Sequence, residues 1–170
     1  MHKNTPFILA LVYSVLFAAT VCIVFYGGHI NYITHAYLIG LVCMAPFLYV
    51  TILMKRKRMG GTLAGRDAVK EGLRFVVAAT IYMSLFQVIF FEMGFREYKI
   101  HFMETMGPQI LKEQIAAGKA KIAESDIPRI IQEDLQQVTV FKEITAVVFK
   151  NLFYGVFCSF IFAIILKRKQ

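Results

Sequence analysis

Four long runs of uncharged, apolar residues decide what this chain can become. Pro6–Tyr26 and Ala36–Met54 contain no charged side chain, and Phe75–Phe95 and Val147–Leu166 contain one each, Glu92 and Lys150. A hydrocarbon core about 30 Å thick is crossed by about 20 helical residues at about 1.5 Å rise per residue. Each run meets that length. With no water in hydrocarbon, backbone N–H and C=O groups must bond to one another, so a span is a helix or part of a closed barrel. Unbroken apolar runs without a two-residue alternation select the helix. The expected fold is therefore all-α and polytopic, with four transmembrane helices at about 6–26, 36–54, 75–95 and 147–166. The 170 residues form one domain on this reading, 58% of them hydrophobic and 18% charged. Soluble domains run nearer about 25% charged.

Lys3 before the first run gives it the look of a secretory signal. The run exceeds the roughly 7–15 residues of such a signal's apolar region, and no A-x-A site follows it. Val21 also occupies the position where a lipoprotein cleavage box before Cys22 needs a small residue. The first run is expected to stay as a span.

The net charge of +8 has its meaning only when divided between the two sides of the membrane. One side carries the N-terminus, Lys55–Arg74 and the tail after Leu166. Its eleven Lys and Arg against Asp67 and Glu71 leave +9. The other side carries Gly27–His35 and Arg96–Ala146, where seven basic against eight acidic residues leave −1. Lys and Arg beside short loops orient a chain, so the basic side, with both termini, is expected in the cytoplasm. The same distribution argues against a nucleic-acid partner, because the excess charge is juxtamembrane instead of gathered in a binding face. With no Trp in the chain, Tyr26, Tyr32, Tyr37 and Tyr98 supply the outer aromatic belt, and Tyr49 sits near the inner interface.

The inner loop begins with Lys55, Arg56, Lys57 and Arg58 and ends in Arg66–Arg74 (RDAVKEGLR). Arg66, Lys70 and Arg74 stand four residues apart, one basic stripe on a helix, beside Val69 and Leu73. These seven basic residues are a stop-transfer cluster and a candidate site for lipid headgroups, where each contributes about 1 kcal/mol. Gly60–Asp67 imitates a phosphate-binding loop but places Arg66 and Asp67 where Lys and a hydroxyl are required, so it is set aside.

The segment from about 96 to 143 is too long for a bare connection. Tyr98–Met106 should extend the third span as a helix. Pro108 can open another, with Leu111, Ile115 and Ile122 as its apolar stripe through Glu124. Ser125-Asp126 and Pro128 mark a further start, and Ile127, Ile130, Ile131, Leu135, Val138 and Phe141 follow helical spacing into the last span. An amphipathic helical cap outside the cytoplasm is expected, its apolar side turned to its own bundle, the bilayer or a protein partner.

Candidate chemistry is sparse. Glu92 and Lys150 each lie about three residues inside a span, about 5 Å below the outer interface, and ionisable groups at depth are functional candidates. They form a candidate intramembrane polar pair, with Gln87 and Asn151 nearby. Four histidines and three cysteines show no metal-ligand spacing, and no nucleophile has an accompanying base, so neither cofactor, metal nor enzymatic activity is expected. Gly155, Ser159 and Ala163 recur every fourth position, as do Ala10, Ser14, Ala18 and Cys22, a pattern that lets helices approach closely within the bundle or in a homo-oligomer.

The RDAVKEGLR segment with Gly72, the long charged segment after FFEMGF, and the ending NLFYGVFCSFIFAIILKRK resemble the bacterial four-span proteins grouped as domain of unknown function 4199. The resemblance implies a bacterial inner-membrane protein with four spans and assigns no activity, ligand or catalytic residue. From residues and resemblance together, the expected role is a structural or accessory subunit that docks a membrane or extracytoplasmic partner through its outer cap. The alternative is a small transporter or channel component using Glu92 and Lys150.

Overall fold

The computed structural model describes residues 4–28, 33–119 and 121–166. Lys3, Tyr32 and the basic tail 167–169 lie outside them, as do His2 and His29. Among the described residues every regular element is helical. They are α1 (Thr5–Tyr26), α2 (Ile33–Arg58), α3 (Gly65–Phe90), α4 (Arg96–Thr105), α5 (Gly107–Ala116), α6 (Ile127–Gln136) and α7 (Val140–Leu166). A π-helical turn at Phe91–Phe95 and a 3-10 turn at Glu124–Asp126 interrupt the order. Four helices are long and apolar enough to cross a membrane, so the all-α polytopic reading holds. Helix bounds exceed the apolar runs because a helix need not stop where hydrocarbon does. α2 continues through Pro46 and the four cations Lys55–Arg58, which suit the negative end of its dipole.

The described residues fall into two compact units, one from the chain up to Phe86 with Ala146 onward, the other Gln87–Thr145.

The helical stretch Gly65–Thr105 that begins with α3 is the most enclosed of the four, with 44% of its apolar window buried against 28% for each of the others. An aromatic cluster ties α3 to α1 and α2: Tyr13 lies 5.7 Å from Phe47 and 6.0 Å from Phe75, and Phe17 lies 6.3 Å from Phe86. The Tyr13 hydroxyl donates to the Gly40 carbonyl at 3.0 Å, which satisfies a buried polar group. Against α7 the fit is one of missing side chains. A Cβ on Gly155 would fall 2.6 Å from both Val76 methyl carbons, and one on Gly72 would fall 2.7 Å from Ser159 Oγ. Gly155, Ser159 and Ala163 are all buried, so the small-residue stripe is spent inside the bundle. The opposite face of α7 carries Phe149, Phe153 and Phe157, all exposed, as expected of a surface covered by lipid.

The second unit departs from the sequence reading in three places. The helix expected from Pro108 through Glu124 ends at Ala116. Lys119 N–H bonds to the Gln114 carbonyl and Gly118 N–H to the Ile115 carbonyl, both at 2.9 Å, with Gly118 at φ +66°. That pairing is a Schellman cap, and glycine adopts its left-handed conformation without steric cost. Ile122 accordingly lies outside α5. The stripe expected to run unbroken into the last span is interrupted at Gln137–Thr139, and Phe141 is 76% exposed while Val138 is buried. Finally, Asp126 does stand at the N-cap of α6, but its side chain makes no cap hydrogen bond; it faces Arg129 at 3.9 Å.

The apolar face of α6 is turned inward. Ile127 is buried, and Ile131 Cδ1 occupies the space beside Gly107, 2.6 Å from where a Cβ would sit. Lys99 pairs with Glu143 and lies over the Phe95 ring.

Val76 is β-branched and stiff, so it yields little to a new side chain. Gly155→Val is expected to destabilise the bundle by about 2 kcal/mol, while Phe153→Val on the exposed face changes stability by less than about 0.5 kcal/mol. Reversible unfolding in mixed detergent micelles measures both.

Candidate functional site

Charge, burial and space coincide at one end of the first unit, where α2 ends and α1 and α3 begin. The seven basic residues singled out from sequence do not act alike there. Arg56 Nε donates to the Gly61 carbonyl at 2.9 Å and so holds the turn that follows α2. Arg58 hydrogen-bonds to Thr5 Oγ1 in the first turn of α1. Arg74 pairs with Glu71 at 3.1 Å. Arg66 and Lys70, both exposed, have no hydrogen-bond or ion-pair partner among the described residues. Lys55 is half-buried and Lys57 is exposed.

Glu71 enters the sequence reading only as one acid in the charge balance. A carboxylate inside a basic stretch reads as part of a solvated face, yet Glu71 is only 4% exposed. Helical spacing puts it on the same side as Ala68, Phe75 and Ala78, all buried, and the i, i+3 guanidinium of Arg74 supplies its counter-charge.

The basic stripe borders a groove of about 720 Å³ between α1 and α3. Arg66, Lys70 and Arg74 stand at its wall with Asp67; Val69, Leu73 and Val77 form an apolar floor, and Phe7 closes it from α1. A second groove of about 420 Å³ lies between α3 and α7 and shares Arg66 and Val69 with the first. Phe7 belongs to the first turn of α1, whose N-cap residue Asn4 makes no side-chain cap bond.

Glu92 sits on the π-helical turn and Lys150 on α7; both are exposed and they belong to different units. Their neighbours in sequence behave otherwise. Gln87 is buried, and buried Asn151 donates from Nδ2 to Met83 Sδ at 3.2 Å. Gly94, at φ +115°, breaks the helix just after Glu92. Among the described residues no group of three His, Cys, Asp or Glu side chains could hold a metal ion. Cys22 is half-buried, Cys43 exposed and Cys158 buried.

Two substitutions separate charge from packing here. Arg74→Leu leaves a buried carboxylate without its counter-ion and is expected to cost about 3 kcal/mol, whereas Glu71→Leu frees a half-exposed guanidinium that water can solvate and costs much less. Ser14 Oγ is buried with no hydrogen-bond partner. Ser14→Ala should therefore leave stability unchanged or raise it by about 1 kcal/mol. Thermal unfolding of the purified variants decides both, and a larger loss for Glu71→Leu than for Arg74→Leu would contradict the first.

No curated protein and no solved structure matches the chain. A family model does, over residues 7–168, and its description is protein of unknown function (DUF4199). That span takes in all four membrane helices and both units, so the chain belongs to this family of proteins of unknown function.

Proposed function

We propose that this protein is a non-catalytic accessory subunit of a bacterial inner membrane, a four-span anchor that presents its Gln87–Thr145 unit to a protein partner. The carrying observation is the surface of that unit. Phe102, Met106 and Ile110, spaced four residues apart across α4 and α5, remain exposed after the apolar face of α6 has been covered. An exposed apolar stripe on an otherwise charged helical segment is the usual mark of an interaction surface. The excess of Lys and Arg at the other end of the chain's spans supports cytoplasmic termini and a partner on the outer side.

The buried polar groups of the spans favour anchoring over transport. Thr51, Thr80 and Ser159 donate to carbonyls of their own helices at 2.7–2.8 Å, which consumes donors that a permeation route would present to its cargo. The alternative, a transporter built on Glu92 and Lys150, has less behind it, since both side chains are exposed.

A photo-crosslinking residue at Met106 tests the accessory role in growing cells. One protein crosslinked at fixed stoichiometry is expected, with the yield reduced at least about tenfold by Phe102→Asp. Crosslinks to lipid alone, or a yield indifferent to Phe102→Asp in a variant that still folds, would contradict it.

A further inference from the structure

Lys55, Arg66, Lys70 and their neighbours read in sequence as a single orienting cluster, but their partners divide them. Arg56, Arg58 and Arg74 are engaged by Gly61, Thr5 and Glu71. Among the described residues Arg66 and Lys70 are left without hydrogen-bond or ion-pair partners, at the wall of a groove with an apolar floor. Ordinary orienting cations need no groove beneath them. We propose that this groove binds one anionic glycerophospholipid, its phosphate held between Arg66 and Lys70 and an acyl chain lying along Val69, Leu73 and Val77 against Phe7.

Geometry, depth and charge each support that occupant. Side chains four apart on a helix stand about 5–6 Å apart at Cβ, a spacing that lets two cations address one phosphate. Lys70 precedes the apolar run that starts at Phe75 by about 7.5 Å of helix, within a headgroup layer of roughly 5–8 Å on each face of the bilayer. Arg66 stands about 6 Å farther out, so its long side chain has to reach inward to share the phosphate. The apolar residues descend on the same helix from the level of the cations toward hydrocarbon, so headgroup and chain meet their partners in the order a phospholipid presents them. Charge complementarity selects an anionic headgroup: Glu71 is already paired with Arg74, and Asp67 is the one remaining acid at this wall. The backbone N–H groups in the first turn of α1, uncapped by Asn4, add positive potential beside Phe7. Arg66 is shared with the α3–α7 groove, which holds neither Lys70 nor Arg74; that groove is not part of the site.

The absence of Trp from the chain gives a clean probe. A single Phe7→Trp reporter is reconstituted into phosphatidylcholine vesicles that contain a small, equal mole fraction of acyl-brominated phosphatidylglycerol or acyl-brominated phosphatidylcholine. Quenching by the anionic lipid is expected to report about fivefold or greater preferential association, and a Phe153→Trp reporter on the exposed face of α7 should report none. Arg66→Gln with Lys70→Gln should abolish the preference, Lys70→Arg should keep it, and Asp67→Asn should raise it. Both exposed cations can be changed without disturbing packing, and an unchanged circular dichroism melt checks this. Equal preference at Phe7 and Phe153, or a preference that survives the double substitution, would overturn the site. Relief of quenching by inorganic phosphate at the concentration of lipid phosphate would also overturn it, since the groove would then be reading an anion without its chain.

Discussion

A span in hydrocarbon has no water to complete its hydrogen bonds, and that constraint organises the whole bundle. Thr51, Thr80 and Ser159 turn their hydroxyls back onto carbonyls one turn earlier in their own helices. Most backbone groups of a helix are likewise bonded within it, so little polar attraction is left to bring one span to another. Shape must do it. Gly40 gives way to the Phe17 ring, Gly72 to Ser159, and Gly155 to the Val76 methyls. Two of these three contacts lie on the seam between α3 and α7, and α3 is the helix to which the aromatic cluster of Tyr13 and Phe17 also returns. Bonds that cross between helices, among them Tyr13 to Gly40 and Asn151 to Met83, accompany that fit.

Spans and packing differ in how openly the residues announce them. The four crossings are legible because absence of charge over about 20 residues has one physical reading in this setting. Helix ends are less so: α7 starts at Val140, where Lys142 and Glu143 make the composition indistinct, since a helix continues into the polar layer without an apolar signature. Gly155, Ser159 and Ala163 advertise a close approach by repeating every fourth residue, whereas Gly40, equally tight against Phe17, is a single residue with no periodic signal. The Ala116–Gly118 stop was written in the chain, and the apolar spacing of Ile115 and Ile122 masked it. Glu71 was hidden because burial of a charge depends on which face of α3 turns inward, and its neighbours are basic. Asn151 is recognisable as polar within a span; its partner Met83 lies 68 positions earlier and leaves no trace in the local sequence.

Division of labour among like charges follows from the same geometry. At one end of the first unit three guanidinium groups are structural: Arg56 holds a turn, Arg58 reaches α1, and Arg74 neutralises a buried carboxylate. Arg66 and Lys70 are not used in this way, and they stand with Arg74 beside an apolar groove. In the Gln87–Thr145 unit the charges are mostly local, as in Arg129 with Asp126 and Glu133, and the apolar face of α6 is closed by Gly107 and its neighbours. Among the apolar side chains that unit leaves exposed is the Phe102, Met106 and Ile110 stripe, on which the proposed partner rests.

With four spans, the single crossing by α3 puts the basic turn after α2 and the charged segment 96–143 on opposite sides of the membrane. The most direct test replaces Cys22, Cys43 and Cys158 with Ala, installs a single cysteine at Thr62 or at Lys119, and exposes intact cells to a membrane-impermeant maleimide. Labelling of Lys119→Cys in intact cells, and of Thr62→Cys only after lysis, is the predicted result. Labelling of both positions from the same side would contradict four crossings, and the reverse pattern would contradict the orientation.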